Sequence, residues 1–325
     1  MSADPHQQAL IKAARRLGIE TIYDGDPSQS PCDRVIYRTR ERSVTIVEGC
    51  IYPGLTPQVD ALCADKHRTK SVFRQCGIPS PRSIQLDRNA ADLQQQLETF
   101  WADAPSGSQV VCKPTLGTNG EGVTMGLRDI ESLYTAIQRA ASDTLVIEEQ
   151  ADGYDLRLQV IGDRVVAACI REPAYVTGDG HSSIGQLMAD RDRSIQTQNP
   201  QNRLLVNDET LQLLEKAGMT VDDCPAAGEK VTVKQVANIG QGGMAIDVTD
   251  TLHERYQAWV DCLAHSLPLD IFGLDLISPN PQADPKENHT VALEVNAQPQ
   301  WLHHTFSERK QHDIPKLILE YLLQL

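Results

Sequence analysis

Residues 273–300, GLDLISPNPQADPKENHTVALEVNAQPQ, constrain this chain more tightly than any other stretch. Two short apolar runs, IFGLDLIS and TVALEVNA, flank residues 279–289, which are rich in Pro, Asn and charge. That is the pattern of two strands joined by a loop. Asp275 stands in the first run, and Glu294 and Asn296 stand in the second. Positions two apart on a strand face the same side, so Glu294 and Asn296 share a face. If the runs pair, the three side chains converge. One Asp, one Glu and one Asn form a hard-oxygen set suited to Mg²⁺, with positions left for water and a substrate phosphate. The competing reading is a surface hairpin with ordinary polar residues.

The chain has 325 residues, enough for two or three subdomains around a sizeable core. Its net charge of −14 argues against nucleic acid as a partner, so a phosphate ligand needs local cations or a metal. Eight cysteines are scattered with no C-x-x-C pair, which predicts reduced, mostly structural thiols and a cytoplasmic location. The opening MSADPHQQAL is too polar for a signal peptide, and no apolar run approaches membrane-spanning length.

Residues 5–17 have helical spacing with Gly18 as a stop, and IETIYD, DRVIYR and SVTIVEG read as strands. A helix with Asp65 near its start runs from Cys63 to Gly77, and LDRNAADLQQQLETFWAD reads as another. PSGS at 105–108 is linker-like. Next come the strand QVVCKP, the glycine turn TLGTNGEG, the strand VTMGL, a helix capped by Asp129, the strand TLVIEEQ and a hairpin over 155–172 turning at Gly162 and Asp163. A loop and helix over 179–192, the helix ETLQLLEKAG and the strand EKVTVKQVAN lead to a second glycine turn, IGQGG. The amphipathic run LHERYQAWVDCLAHSL precedes the two metal-candidate strands, and DIPKLILEYLLQL closes the chain as a helix.

Several constellations carry chemistry. Lys113 ends a strand before Gly117, Gly120 and Gly122, whose unobstructed amides and neighbouring ammonium group suit nucleotide phosphates. A plain glycine-rich hairpin is the alternative. Glu148 and Glu149 close an apolar strand, and Asp155 follows past Gly153. Backbone groups at such a junction can read an adenine edge, and the later carboxylate can take ribose hydroxyls; two exposed acids are the bland alternative. Asn238, Gly242 and Gly243 form an amide-rich turn able to hold a phosphate or an oxyanion, or simply to reverse the chain. Arg157 and Arg171 flank the central hairpin as phosphate or carboxylate clamps, or as surface arginines. His303 and His304 read as solvated or as an acceptor-site pair, because no third zinc ligand is suitably spaced.

The ordered set resembles the ATP-grasp superfamily, and within it the ATP-grasp part of cyanophycin synthetase and of bifunctional glutathione synthetases. The phrases that carry the resemblance are DKHRTKSVFRQCGIPSP, VCKPTLGTNGEGV, VIEEQADGYDLRLQVIGDRVVAACIREPAYVTGDG, AGEKVTVKQVANIGQGGMAIDVTD, and GLDLI with LEVNAQP, over residues 60–300. It implies an α+β fold with two lobes holding ATP between them. A pre-ATP-grasp α/β subdomain would occupy 1–65 and the ATP-grasp domain 66–325, with a small nucleotide-covering lobe at 108–170 and a larger lobe at 171–325. It further implies that Lys66 and Lys113 meet the α- and β-phosphates, that Glu148 and Glu149 meet adenine, and that Asp155 meets ribose. Asp275, Glu294 and Asn296 would hold two Mg²⁺, with Mn²⁺ as a substitute. A substrate carboxylate would attack the γ-phosphate to give an acylphosphate, which an amine displaces.

The implied activity is an ATP-dependent carboxylate–amine ligase acting on amino acids or short peptides, with homodimerisation left open. The alternatives are a ligase modifying a protein or peptide tail and a non-catalytic nucleotide-binding module. The resembling enzymes carry a second catalytic region for which this length leaves no room. D-Alanine–D-alanine ligases, a more distant resemblance, place an arginine two residues before the metal Asp. Here that position is Gly273, which leaves Arg171 or the IGQGG turn, with Asn238, Gly242 and Gly243, to stabilise the transfer oxyanion.

Overall fold

Caps written into the sequence set the helix boundaries. Asp4 accepts from the amide of His6 to start α1 (Pro5–Leu17), and Gly18 ends it in the left-handed region. Asp65 closes α2 (Pro57–Ala64) and opens α3 (Lys66–Gln75), its carboxylate accepting from the amides of His67 and Arg68, each at 3.0 Å. The computed structural model describes residues 4–23, 33–105, 107–116 and 122–325.

Between α1 and α2 lies an antiparallel sheet of β1 (Glu20–Tyr23), β2 (Arg34–Arg38) and β3 (Ser43–Val47). After α3 come β4 (Ser83–Asp87), α4 (Leu93–Ala102), β5 (Val110–Pro114), β6 (Thr124–Leu127), α5 (Ile130–Arg139) and β7 (Thr144–Glu149). Their strands form an antiparallel sheet in the order β4-β7-β5-β6, and Leu97 and Phe100 of α4 and Leu133 and Ile137 of α5 cover it. Residues 83–87 are an edge strand, where the sequence reading began a helix at Leu86. The alternation in SIQLD prevails once β7 offers a partner for pairing.

The rest of the chain supplies β8 (Tyr154–Ile161), β9 (Arg164–Glu172), β10 (Tyr175–Thr177), α6 (Ile184–Gln198), α7 (Asp208–Lys216), β11 (Lys230–Thr232) and β12 (Met244–Asp247). Then follow α8 (Arg255–Ser266), β13 (Ile271–Ser278), β14 (Val291–Asn296) and α9 (Ile314–Leu323). A five-stranded antiparallel sheet runs β12-β9-β8-β13-β14, and the predicted pairing of the Asp275 and Glu294 strands is its β13–β14 edge. β10 and β11 pair beneath α6 and α7 around a small core of Ile184, Met188, Leu204 and Leu214.

The five-stranded sheet has two unlike faces because side chains alternate along its strands. Leu156, Leu158 and Val160 of β8 and Phe272, Leu274 and Leu276 of β13 face α3 and α8, where Phe73, Tyr256, Trp259 and Leu263 complete the main core. The intervening positions carry charge at one end of the opposite face. At its other end Ile161, Ala167 and Ile271 join α1, α9, Val35, Tyr37 and Trp301 in a second core. Gly49 allows the chain to pass close to α1: a Cβ there would meet the Gln7 amide nitrogen at 2.4 Å.

Cys76 and Cys262 are paired as a disulfide that joins the end of α3 to α8, which departs from the expectation of reduced thiols. The partners are 186 residues apart in sequence, so spacing could not reveal them. Among the described residues, no helix is long and apolar enough to cross a membrane.

Trp301 ties the N-terminal unit to the rest. It is fully buried, and its indole Nε1 donates to the Gly49 carbonyl at 3.2 Å and to the Tyr52 hydroxyl at 2.8 Å. Trp301→Ala is expected to cost about 3–5 kcal/mol, read from urea unfolding. A loss below about 1 kcal/mol would show that the two units do not share this core.

Candidate functional site

The polar face of the five-stranded sheet is a lattice of opposite charges set by register. Asp155 lies across from Arg171, Arg157 across from Asp275, and Asp275 across from Glu294, while Asn296 lies across from Gly273. Arg157 Nη1 donates to both Asp275 oxygens, at 2.9 and 3.0 Å. Arg171 reaches Asp155 at 2.7 Å and Asp275 at 3.1 Å. Asn296 Nδ2 donates to Asp275 Oδ2 at 2.7 Å, so its carbonyl oxygen remains the acceptor. On the β13–β14 ladder the register shifts by one at Leu293, between the Asp275–Glu294 and Leu276–Ala292 pairs.

Gly273 makes room for this lattice. A Cβ there would lie 2.3 Å from Arg157 Cζ, so the guanidinium lies directly against the bare strand. Burial pushes the Asp275 carboxyl up, but Arg157 and Arg171 outweigh it and hold the group well below the usual carboxylate range. Glu294 moves the other way. Burial and the charge of Asp275 raise it, with Lys66 offsetting part of the rise. Burial likewise carries Asp155 up further than Arg171 draws it down. The two neighbouring carboxylates are thus shifted in opposite directions, Asp275 down and Glu294 up.

A second group of charges faces this lattice from α3 and the four-stranded sheet. Lys66, in the first turn of α3, approaches Glu294 to 3.6 Å. Lys70, one turn on, is buried and donates to the Pro81 carbonyl at 3.0 Å, Ser83 Oγ at 2.8 Å and Glu148 Oε2 at 2.8 Å. Lys113 is paired with the other oxygen of Glu148. Burial pushes the Glu148 carboxyl up, yet the two ammonium groups more than offset this and leave it below its ordinary range. The Glu148 carboxylate therefore positions two lysines, and Glu149 accepts from Arg82 Nε at 2.9 Å. An adenine reading of this strand end rests on its backbone groups, not on these carboxylates.

The second glycine turn uses its amides internally. Gly240 donates to Asn238 Oδ1, Gln241 and Gly243 to the Asn238 carbonyl, and Gly242 to the Ile239 carbonyl. In this conformation Asn238, Gly242 and Gly243 shape a turn beside β12 and do not present an open nest. Gly122 is in the left-handed region, and Gly117 and Gly120 lie outside the described residues. His303 and His304 are buried in a short 3₁₀ turn (Leu302–Thr305), which corrects their reading as solvated.

Sequence reasoning underrated Lys70 and Arg157. Lys70 is one helical turn from Lys66, and Arg157 is two residues from Asp155 on one strand, so both periodicities were present in the sequence. What spacing could not show was that Glu148 and Asp275 would be their counter-charges.

Glu148→Gln keeps the shape and leaves two buried ammonium groups without a counter-ion, so a loss of about 3–5 kcal/mol is expected in urea unfolding at neutral pH. Because Glu148 has a depressed folded value, its contribution is complete above the ordinary glutamate range and is lost as pH falls through that value. The variant should therefore show a flatter acid limb of stability than the parent. Parallel acid limbs would show that the ion network adds nothing to folding. Gly273→Ala should displace the Arg157 guanidinium and loosen Asp275. A turnover loss of about 100-fold is expected, with the fold retained by circular dichroism. Unchanged turnover would show that the contact of Arg157 with the bare strand is not needed.

No family model matches the chain. Cyanophycin synthetase of Synechocystis sp. is 31% identical over 246 residues, covering 73% of this chain and 28% of that protein. The glutathione biosynthesis bifunctional protein GshAB of Pasteurella multocida is 27% identical over 336 aligned residues, covering 97% of this chain and 42% of that protein. The chain thus spans less than half the length of these curated relatives. The crystal structure of a bifunctional glutathione synthetase from Pasteurella multocida matches 98% of this chain and 43% of its own, with a TM-score of 0.72 at 23% identity. The ATP-grasp ligase PsnB, solved with a minimal precursor, matches 99% of this chain and 95% of its own, with a TM-score of 0.53 at 14% identity. At these identities the two structures bear on the fold, which is the α+β arrangement of two lobes implied by the motifs. The chain is thus similar to these enzymes over most of its own length and has the ATP-grasp fold.

Proposed function

We propose that this chain is an ATP-dependent carboxylate–amine ligase that joins amino acids or short peptides and releases ADP and phosphate. The observation that carries the reading is one constellation: Asp275 on β13 and Glu294 and Asn296 on β14 share one face of the sheet, and Arg157, Arg171, Lys66 and Lys113 surround them. Such a site gathers anionic oxygens for a hard cation and cations for phosphate oxygens. Residues 66–325 form the ATP-grasp domain in this reading and 1–65 the unit before it. The lobe over the nucleotide is then the four-stranded sheet with α4 and α5, which begins at Ser83 and ends at Glu149 instead of spanning 108–170, because β8 and β9 join the five-stranded sheet.

The donor set fits magnesium: two carboxylates and an amide oxygen, the Asn296 Nδ2 hydrogen bond to Asp275 leaving its oxygen as the atom that would meet the ion. Asp275, Glu294 and Asn296 would hold two ions, and when bound these neutralise charge on the triphosphate. Lys66 and Lys113 supply positive charge to the phosphates from the opposite side. Glu148 holds Lys113 in place, so the lysine arrives oriented and not searching among rotamers. In this reading Arg157 and Arg171, held beside Asp275, stabilise the negative charge that develops as the γ-phosphoryl group moves to the substrate carboxylate. The carboxylate oxygen forms a bond to phosphorus, the bond to the ADP oxygen breaks, and an amine then expels phosphate from the acylphosphate. Catalysis of this type is mostly positioning and charge stabilisation.

ADP release with mixed amino acids, with hydroxylamine added to trap acylphosphate as a hydroxamate, tests this directly. Glu294→Gln should lower turnover roughly a thousandfold while ATP binding by calorimetry persists. Combined with Asp275→Asn it should cost little more than the worse single change, because the two act as a unit. Near-normal hydroxamate formation by Glu294→Gln at saturating Mg²⁺ would overturn the assignment.

A further inference from the structure

Cys169, His303 and His304 bring one thiol and two imidazoles together behind the charged lattice. One ligand atom from each lies within 4.8 Å of the others. Cys169 and His304 are fully buried and His303 is 6% exposed. Nε2 of His303 and both ring nitrogens of His304 are buried without a hydrogen-bond partner, a costly state for polar atoms unless something satisfies them. We infer that these three residues form a site for a soft transition-metal ion, zinc by preference, separate from the oxygen ligands on β13 and β14.

The donor chemistry separates the two sites. Thiolate and imidazole select zinc-like ions, whereas carboxylate and amide oxygens select magnesium. Three protein ligands leave a fourth tetrahedral position for water or another exchangeable group. Sequence spacing could not reveal the site, since Cys169 comes from β9 and the histidines from the turn after β14.

Arg157 and Arg171 face the cluster, but each is already paired with an acid, Arg157 with Asp275 and Arg171 with Asp155 and Asp275. Asp247 lies across from Cys169 on the sheet and accepts from His312 Nε2 at 2.7 Å, and His6, whose ring packs on Trp301, is near enough to act on His303. Burial, aided by these guanidiniums, keeps both imidazoles neutral, which is the form that donates a lone pair. Burial also pushes the Cys169 thiol up to about 12, so the empty site holds S–H. On binding, Cys169 transfers its proton to solvent and the S–H bond is replaced by a sulfur–metal bond, with no change of oxidation state. Affinity therefore rises with pH.

The test uses the full chain, stripped with EDTA and returned to a magnesium buffer, then titrated with Co²⁺. A near-ultraviolet thiolate-to-cobalt charge-transfer band should appear, saturate at about one ion per chain and be displaced by Zn²⁺. Cys224→Ser, which removes the exposed thiol, should keep the band, and Cys169→Ser should abolish it. His304→Gln should weaken zinc binding by more than about tenfold, the range in which even supporting partners of a metal act, and it stands in if Cys169→Ser does not fold. No band from the parent, a band that survives in Cys169→Ser, or unchanged zinc affinity in folded His304→Gln would overturn the site. None of these readouts requires ligase activity.

Discussion

A guanidinium lies against a strand that has no side chain to keep it away. Arg157 approaches Gly273 so closely that both oxygens of Asp275 come within reach of one nitrogen, and Asp275 in turn takes Arg171 and Asn296. Stripping water from so many charges is expensive, and the cost is met only where each charge finds a counter-charge in good geometry. The sheet provides that geometry through register. Odd positions of β8 and β13 carry the lattice, and even positions of the same strands enter the main core. A slip of one residue would bury Arg157 and Asp275 among Phe73 and Trp259, so the packing of the core enforces the alignment of the site.

The opposing wall depends on a division of labour between two lysines one turn apart. Lys70 is committed to Pro81, Ser83 and Glu148, and this links α3 to the four-stranded sheet. Lys66 is thereby carried to Glu294. Asp65 sets the phase of both, because as the cap it determines where the helix begins. Glu148 closes the arrangement by holding Lys113 on its second oxygen. Charges from α3, β5, β7 and β14 thus meet at one place through the packing of one helix and one buried carboxylate.

Most of this was legible where chemistry and periodicity coincide. The strand pair bearing Asp275 and Glu294, the hairpin after Gly153, the Asp129-capped helix and the amphipathic run before the metal strands all follow local rules that tertiary packing did not override. What failed was non-local. SIQLD became a strand because β7 lay beside it, Cys76 met Cys262 across the main core, and Cys169 met two histidines from the far end of the chain. The glycine turn misled for another reason. Composition counts amides, but only conformation shows that Asn238 already accepts from three of them.

Gly273 first looked like a loss, since the resembling D-alanine–D-alanine ligases place an arginine there. The structure changes what the glycine means. A guanidinium lies directly beside this position, delivered from β8 by Arg157. An arginine at 273 and another at 157 could not both fit, because even a single Cβ at 273 overlaps Arg157. The two positions therefore form one structural unit, in which the bare strand at 273 lets Arg157 bring its positive charge to Asp275. Arg157 lies between β9 and β13 with both neighbours in register, so its charge is fixed before any substrate arrives. In a reaction that depends on stabilising transient negative charge, a cation that need not move is worth more than one that must be recruited.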